Sequence, residues 1–189
     1  MALMARERLI DSTIELIATN GVAATGISEL IEHSDVSRRT IYVNFPGGKA
    51  ELVADATKAA GKSMTAVLRA LVADSSVEVA LPAFGAWWTK TLKASAFDRG
   101  CPIMAAAWGR AEAPDAAEVA RATIASWVEV LQTRLEADGI DPSESRSLAV
   151  TMVAGIEGAV LMCIAEKSVD PLNQTVRQLS RLLALARLA

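Results

Sequence analysis

The sequence predicts an all-α protein of about nine helices, and three observations indicate this class. Hydrophobic residues make up 52% of the 189-residue chain, which is enough to bury a core. Alanine and leucine, both good helix formers, are abundant. Apolar residues recur at helical spacing, whereas β-branched residues form none of the alternating runs typical of strands. Disorder is disfavoured because it requires low hydrophobicity and high net charge, and the formal charge here is -3.

Residues 1–50 predict a small three-helix head. The first helix, at 6–20, carries isoleucines on one face and ends at an Asn-Gly pair suited to a left-handed cap. A second, short helix is expected at about 27–34. Ser37 can cap a third helix of about eight residues, which the Pro-Gly-Gly at 46–48 ends. Two short helices joined by a tight turn form a helix-turn-helix.

A larger helical body follows the head. A long fourth helix begins near Lys49, and helical periodicity then continues to the C-terminus with short interruptions. These turns are expected at residues 74–76, 99–100, 113–114, 138–139 and 169–171. The sequence contains no internal repeat, so we divide the chain into a three-helix head, residues 1–50, and a larger helical body, residues 51–189.

Export and membrane insertion are not expected. The N-terminus, MALMARERLI, lacks a long apolar segment followed by a cleavage site of small residues. The most apolar run, at 148–165, is interrupted by Glu157 and two glycines, which favours a buried or dimer-forming helix over a membrane span. We therefore expect a cytoplasmic protein, in which Cys101 and Cys163 are free thiols.

The side chains do not suggest catalysis or a metal site. His33 is the only histidine, and one histidine with two separated cysteines cannot supply three or four ligands to a transition metal. A catalytic pair would have to include His33, which we interpret instead as a partly exposed residue of the second helix. Cys101 and Cys163 could sense redox state, but inert thiols are favoured. No catalytic residue, metal or other cofactor is expected.

The third helix has a distinctive outer surface. Residues 37–49, SRRTIYVNFPGGK, hold three cations and no acid. Ile41 and Phe45 form its inward face, and the outward positions carry Arg38, Arg39, Thr40, Tyr42, Val43 and Asn44. Arginine can pair with guanine, asparagine with adenine and a small apolar group with a thymine methyl, while hydroxyl groups bond to phosphates. Lys49 follows, where a helix N-terminus can clamp a phosphate. This surface predicts contact with the DNA major groove; a solvated face of a larger bundle is the alternative.

The segment ATGISELIEHSDVSRRTIYVNFPGGKAELV resembles the signature of the TetR family of bacterial transcriptional regulators. The motif is matched, with its spacing intact, at Val36, Ser37, Thr40, Ile41, Tyr42, Phe45, Lys49 and Glu51. This resemblance implies a homodimer, one recognition helix per subunit and a body that binds a small-molecule inducer. By position it assigns groove or phosphate contacts to Arg38, Arg39, Thr40, Tyr42 and Asn44, a phosphate anchor to Lys49, and a contact with the DNA backbone to Thr25 or Ser28. Ser37 and Val43 complete the candidate DNA-binding residues. The head, residues 1–50, would then be the DNA-binding domain, and the body, residues 51–189, the ligand-binding and dimerisation domain.

Two positions of the head depart from the family pattern. Ser34-Asp35 stand where the turn usually has Ala-Gly. Aspartate tolerates the left-handed conformation at a cost of ~1 kcal/mol, so we expect the turn to form. Val43 replaces a common histidine, which changes the expected operator sequence but not the binding mode. In the body, GCPIMAAAW at 100–108 and GIEGAVLMCIAE at 155–166 are similar to a branch of regulators that respond to drugs or aromatic compounds.

Aromatic residues of the body predict a ligand cavity. Phe84, Trp87 and Trp88 lie at i, i+3 and i+4, and Met104 lies four residues before Trp108. The candidate lining is Phe84, Trp87, Trp88, Met104, Trp108, Trp127 and Met152. Few charges accompany these residues, so we expect a neutral effector that is apolar or aromatic. An ordinary core is the alternative for any single tryptophan.

The last two helices, at about 142–167 and 172–188, are the candidates for a dimer interface. Small residues at 154, 155, 158 and 159 would let helix backbones approach closely, and Leu161, Leu179, Leu182 and Leu183 could fill the contact. Two helices from each subunit would form a four-helix interface. The alternative is that these residues form the core of a single subunit.

Two classes of function fit these features. The first is a one-component transcriptional repressor that responds to a small molecule. The second is a helical small-molecule-binding or enzymatic protein whose basic head is incidental. The second lacks catalytic residues and leaves the Arg-Arg-Thr-x-Tyr surface unexplained, so we expect a DNA-binding regulator that is not an enzyme. Salt-dependent mobility on duplex DNA separates the two.

Overall fold

A computed structural model of the protein describes residues 2–187, and the side chains from residue 4 onward. This part of the chain is all-α, with nine helices and no strand. The helices are α1 (Ala2–Ala24), α2 (Ile27–Ser34), α3 (Arg38–Asn44), α4 (Gly48–Ala73), α5 (Val77–Ala94), α6 (Pro102–Trp108), α7 (Pro114–Ala137), α8 (Pro142–Glu166) and α9 (Asp170–Ala186). The predicted class is confirmed. Each predicted turn lies at a boundary between two helices, although Pro114 already belongs to α7 and Asp170 and Pro171 to α9.

Most helix ends of the head follow the predicted signals, but the end of α1 differs. Gly21 has a positive φ of 77°, but its ψ of 169° is not left-handed helical, and α1 resumes after this interruption and ends at Ala24. Asp35, after α2, is left-handed with φ 52° and ψ 43°. Ser37 caps α3, because its hydroxyl accepts the Thr40 N–H at 3.2 Å. Gly48 has φ 67°, a conformation available to glycine at little cost, and it begins α4.

The first compact unit combines the residues up to Ser63 with Cys101–Thr123. Its core joins the first four helices through Leu9, Leu30, Val36, Ile41, Phe45 and Leu52. Helix α6 packs against α1. Directly after α6, Gly109 approaches so closely that an added Cβ would lie 2.6 Å from the Val22 side chain. The compact unit that contains α1–α3 therefore extends beyond residue 50, while the functional division at that residue stays a prediction.

The second compact unit combines Met64–Gly100 with the residues from Ile124 onward. Helix α9 packs against both α5 and α8. The Asp138 carboxylate fixes the start of α5, since it accepts the Val77 N–H at 2.8 Å. The same carboxylate, whose side chain is nearly buried, pairs with Arg134 at 2.7 Å and lies 3.8 Å from Arg187 near the end of the chain. These contacts connect α5, α7 and the end of α9.

Helix α8 has an apolar composition that extends over most of its length. Within residues 2–187 it is the one helix long and apolar enough to cross a membrane, with a mean hydropathy of 2.1 in its most apolar window. Of that window, 39% is buried in the protein. A membrane span and the core helix of a soluble protein can share this length and composition. The positions of the exposed side chains of α8 therefore bear on which of the two it is.

Candidate nucleic-acid interface and apolar cavity

The surface of α3 has the inward and outward faces that the sequence predicts. Ile41 and Phe45 are fully buried in the first unit. Arg39 is exposed on the opposite side, and Arg38 is exposed on a flank. Tyr42 and Val43 are also exposed, Val43 to 70%. A single exposed apolar side chain is ordinary on a protein surface, so the exposure of Val43 establishes its outward direction and nothing more.

The polar residues on the flank of α3 are partly occupied by contacts within the helix. The Ser37 and Thr40 hydroxyl oxygens lie 2.8 Å apart. The Asn44 side-chain amide donates to the Thr40 carbonyl at 2.8 Å. Thr40 and Asn44 are half-buried, whereas Ser37 is exposed. This bond uses one of the two N–H groups of the Asn44 amide and does not involve its Oδ1 atom, so a base contact does not require the bond to break.

The start of α4 differs in one respect from a free phosphate clamp. Lys49 lies in its first turn and is half-buried. The Glu51 carboxylate accepts the Gly47 N–H at 2.7 Å, and the Gly48 N–H donates to the Phe45 carbonyl at 2.9 Å. Two of the N–H groups that the sequence assigned to a phosphate therefore already have partners. Glu51 is part of the sequence motif, but only the structure shows that its side chain folds back and accepts the Gly47 N–H.

Thr25 and Ser28, the two alternatives for a contact with the DNA backbone, have different environments. Thr25 is buried, and its hydroxyl donates to the Gly21 carbonyl at 2.8 Å. Ser28 is exposed in the first turn of α2. This turn is stabilised by Glu29, whose carboxylate accepts the Gly26 N–H at 2.7 Å. Of the two residues, Ser28 is therefore the one with a side chain on the surface.

Arg6 of α1 contacts the end of α3 and was not identified from the sequence. Its guanidinium lies 5.0 Å from the centre of the Phe45 ring and pairs with the Asp55 carboxylate. The contact connects α1, α3 and α4. Arg6 and Asp55 are 49 residues apart in the chain, and helical periodicity gives no information about pairs at that separation.

An apolar cavity of ≈ 50 Å³ lies within the second unit. Side chains of α4, α5, α7 and α8 line it: Met64, Leu68, Leu71, Val72, Val77, Ala80, Leu81, Phe84, Trp127, Leu131, Met152, Val153, Ile156 and Glu157. Glu157 is the one ionizable residue among these. The Trp127 indole N–H donates to the Thr65 hydroxyl at 2.9 Å, which satisfies the polar group of the largest lining side chain.

Three of the seven predicted ligand residues line this cavity, namely Phe84, Trp127 and Met152. Trp87 stacks on Phe84, with ring centres 5.6 Å apart, and Trp88 is almost fully buried beside Trp87.

The other two predicted ligand residues lie on α6. Met104 and Trp108 therefore belong to the first unit, whereas residues of the second unit line the cavity. Trp108 is 93% exposed. The sequence missed the aliphatic lining residues of α4 and α5, because a leucine or valine beside a cavity has the same helical spacing as one in a filled core.

One side of the α8–α9 pair carries exposed apolar residues. On α8 they include Val150, Leu161 and Met162, and on α9 Leu182 and Leu185. Ala154 and Gly158 are exposed between Val150 and Leu161, which gives α8 a continuous stripe. Gly155 and Ala159 instead lie inward, as do Leu179 and Leu183. Thus the small residues and leucines that were predicted to form one interface fall into two groups. Some lie in the core of the subunit and the others on its surface.

The cysteines and the histidine occupy ordinary structural environments. Cys101 and Cys163 are buried and form no disulfide, and burial raises the pKa of the Cys163 thiol. His33 is partly exposed, with its Nε2 atom 3.6 Å from the Glu15 carboxylate. Across residues 2–187 there is no group of three or more histidine, cysteine, aspartate or glutamate side chains that could hold a metal ion.

Comparison with known proteins places these features in a family. The model described as bacterial regulatory proteins, tetR family, matches residues 9–56. A second model, the C-terminal domain of LmrA/YxaF-like transcriptional regulators, matches residues 78–178. An uncharacterized HTH-type transcriptional regulator of Mycobacterium tuberculosis, MT0206, is 33% identical over 184 residues, which cover 94% of this chain and 93% of that protein. The chain belongs to the TetR family of bacterial transcriptional regulators.

Other TetR-family proteins agree with this assignment. The HTH-type transcriptional regulator LmrA of Bacillus subtilis is 24% identical over 173 residues, which cover 88% of this chain and 90% of that protein. The crystal structure of a regulatory protein TetR from Rhodobacter sphaeroides has the same fold, with a TM-score of 0.85 and 22% identity over 95% of this chain and 98% of the other. As a TetR-family member, the chain is a DNA-binding regulator of transcription.

Proposed function

We propose that the protein is a ligand-responsive repressor that acts in the cytoplasm as a homodimer. It binds a pseudo-palindromic operator and releases it when a small apolar or aromatic effector binds. The observation that carries this proposal concerns α4. Its first turn holds Lys49, the expected phosphate anchor, and four of its later residues line the apolar cavity: Met64, Leu68, Leu71 and Val72.

The DNA-binding part of the proposal rests on the outer surface of α3. Arg39 and Val43 lie on the side of the helix opposite the buried Ile41 and Phe45, so they would enter the major groove most deeply. Arg38 and Tyr42 on the same helix are exposed, as is Ser28 on α2. Two such helices related by a twofold axis would reach half-sites about 34–36 Å apart, or further if the half-sites are spread.

The dimer part of the proposal rests on the exposed apolar stripe of α8 and α9. Leu161 is 68% exposed and Leu185 is 64% exposed. An apolar surface of this kind, rimmed by polar residues, is typical of a protein–protein interface. Contact between the same stripe on two subunits would bury it in a four-helix arrangement and would also account for the apolar composition of α8 without a membrane.

The effector part of the proposal follows from the size and lining of the cavity. Its volume of ≈ 50 Å³ is smaller than the engineered cavity of about 150 Å³ that holds benzene in another protein. An aromatic effector must therefore push the cavity walls apart. Because α4 forms one wall, its displacement would move Lys49 at its other end and change the separation of the two recognition helices. The protein would release DNA if the effector binds the form with the displaced α4 more tightly than the form that binds DNA.

Titration of neutral aromatic compounds with and without operator DNA tests the proposal. Duplexes selected from random DNA by the protein supply the operator, and the fluorescence of Trp127 reports the cavity. A Trp127→Phe variant identifies the share of the signal that comes from this residue. Because coupling between two sites is reciprocal, an effector should bind the DNA-free dimer about 5–150-fold more tightly than the DNA complex. Equal affinity in both states would contradict a switch, and failure to select any duplex would contradict DNA recognition.

A further inference from the structure

The turn between α2 and α3 contains a residue in an unfavourable backbone conformation. Asp35 has φ 52° and ψ 43°, the left-handed region in which any side chain other than glycine is strained. Two residues later, Ser37 already caps α3. In so short a connection, the backbone angles of Asp35 decide the direction in which α3 leaves α2.

Arg8 of α1 contacts this turn through its guanidinium group. Its Nη2 atom donates to the carbonyl oxygen of Ser34 and lies 3.2 Å from that of Asp35, to which it also donates. Both carbonyls stand at the C-terminal end of α2, where the last carbonyl groups have no partner within the helix and the helix dipole is negative. A guanidinium placed there supplies donors and the complementary charge together.

The hydrogen bonds from Arg8 to the backbone stabilise the turn more than the ion pair between Arg8 and Asp35 does. The Asp35 carboxylate lies 3.4 Å from Arg8, but its side chain is 97% exposed and that of Arg8 is 52% exposed. Exposed ion pairs contribute little because water screens them. Hydrogen bonds from a charged donor to carbonyl oxygens are stronger, and here they fix the peptide groups on both sides of the strained angles.

We propose that Arg8 is a positioning residue for DNA recognition. It holds Asp35 in the left-handed conformation and thereby fixes α3 in the head, without touching DNA. The need for such a contact comes from the sequence, since Asp35 stands where the family signature has a glycine that would adopt this conformation without help. The inference rests on the proposed role of α3 as the helix that reads DNA.

The test compares variants of the full-length protein on a duplex that the wild type has selected from random DNA. Arg8→Gln should raise the dissociation constant about tenfold, which corresponds to 1.4 kcal/mol. Arg69→Gln, which removes an exposed arginine of the second unit and changes the net charge equally, should stay within about twofold. The dependence of binding on salt should be the same for Arg8→Gln and the wild type. A salt slope lower by about one unit would show that Arg8 binds a phosphate itself, and the proposal would be wrong.

Substitutions of Asp35 separate the backbone contact from the ion pair. Asp35→Gly relieves the strain, so adding Arg8→Gln in that background should change the dissociation constant by less than about threefold. Asp35→Asn removes the carboxylate but tolerates the left-handed conformation, so it should resemble the wild type and still need Arg8. A full loss from Arg8→Gln in the Asp35→Gly background, or a loss from Asp35→Asn equal to that from Arg8→Gln, would overturn the proposal.

A control for folding and a comparison of outcomes separate the possible explanations. Circular dichroism establishes that each variant is folded at the concentration used for binding. If Arg8→Gln alone is partly unfolded, the comparison of Asp35→Gly with the double variant decides, because a turn containing glycine does not need the contact. If the wild type selects no duplex, the proposed function and this role of Arg8 both fail. If the wild type binds and the variants bind equally well, the role of Arg8 alone is wrong.

Discussion

Leu161→Ala should weaken the dimer without weakening the fold of the subunit. The Leu161 side chain is 68% exposed on α8, so its truncation removes little from the core. Full burial of a leucine is worth about 1.5–3 kcal/mol, and burying the exposed two-thirds is therefore worth about 1–2 kcal/mol. A twofold interface contains the residue twice, which gives about 2–4 kcal/mol per dimer and a dissociation constant raised about 30- to 700-fold.

Sedimentation equilibrium over a range of protein concentrations measures this effect. Val79→Ala provides the matched control, because Val79 is 63% exposed but lies on α5 and is not part of the α8–α9 stripe. We expect the control to have the dissociation constant of the wild type. Circular dichroism at a fixed concentration checks that both variants keep their helices. A dimer equally strong in Leu161→Ala, Val79→Ala and the wild type would refute the proposed interface.

Two other substitutions and one chemical test follow from the same structure. Arg39→Ala should lose about 1–3 kcal/mol of discrimination between selected and random duplexes if Arg39 pairs with a guanine. Lys49→Ala should weaken both kinds of duplex similarly and lower the salt slope by about one unit, so equal behaviour of the two variants would contradict these roles. Because burial raises the pKa of Cys163, its thiol should stay neutral in mildly alkaline solution and react with iodoacetamide more slowly in the folded protein than after unfolding. Equal rates in the two states, measured by mass spectrometry of the Cys163 peptide, would show that the thiol is not protected.

The sequence by itself determined the local features of the protein. Ile41 and Phe45 lie inward on α3, and Arg39 and Val43 lie outward, because helix geometry alone fixes which residues share a face. Ser37 caps α3 for the same kind of local reason, since a cap and its N–H partner are three residues apart. The helical class and the turns are also local, as each depends on propensities and breakers within a few residues.

The tertiary structure alone decided which of several apolar surfaces is core, cavity or exterior. Leu179 and Leu183 are buried, whereas Leu182 and Leu185 on the same helix are exposed. Trp108, which periodicity grouped with the cavity aromatics, is on the surface of the first unit.

The contacts of Arg8 with the α2–α3 turn likewise required the folded chain, because they join residues 26 and 27 positions apart. Periodicity gives the direction of a side chain relative to its own helix, but burial and long-range pairing depend on which other helix lies opposite, and that is fixed when the whole chain packs together.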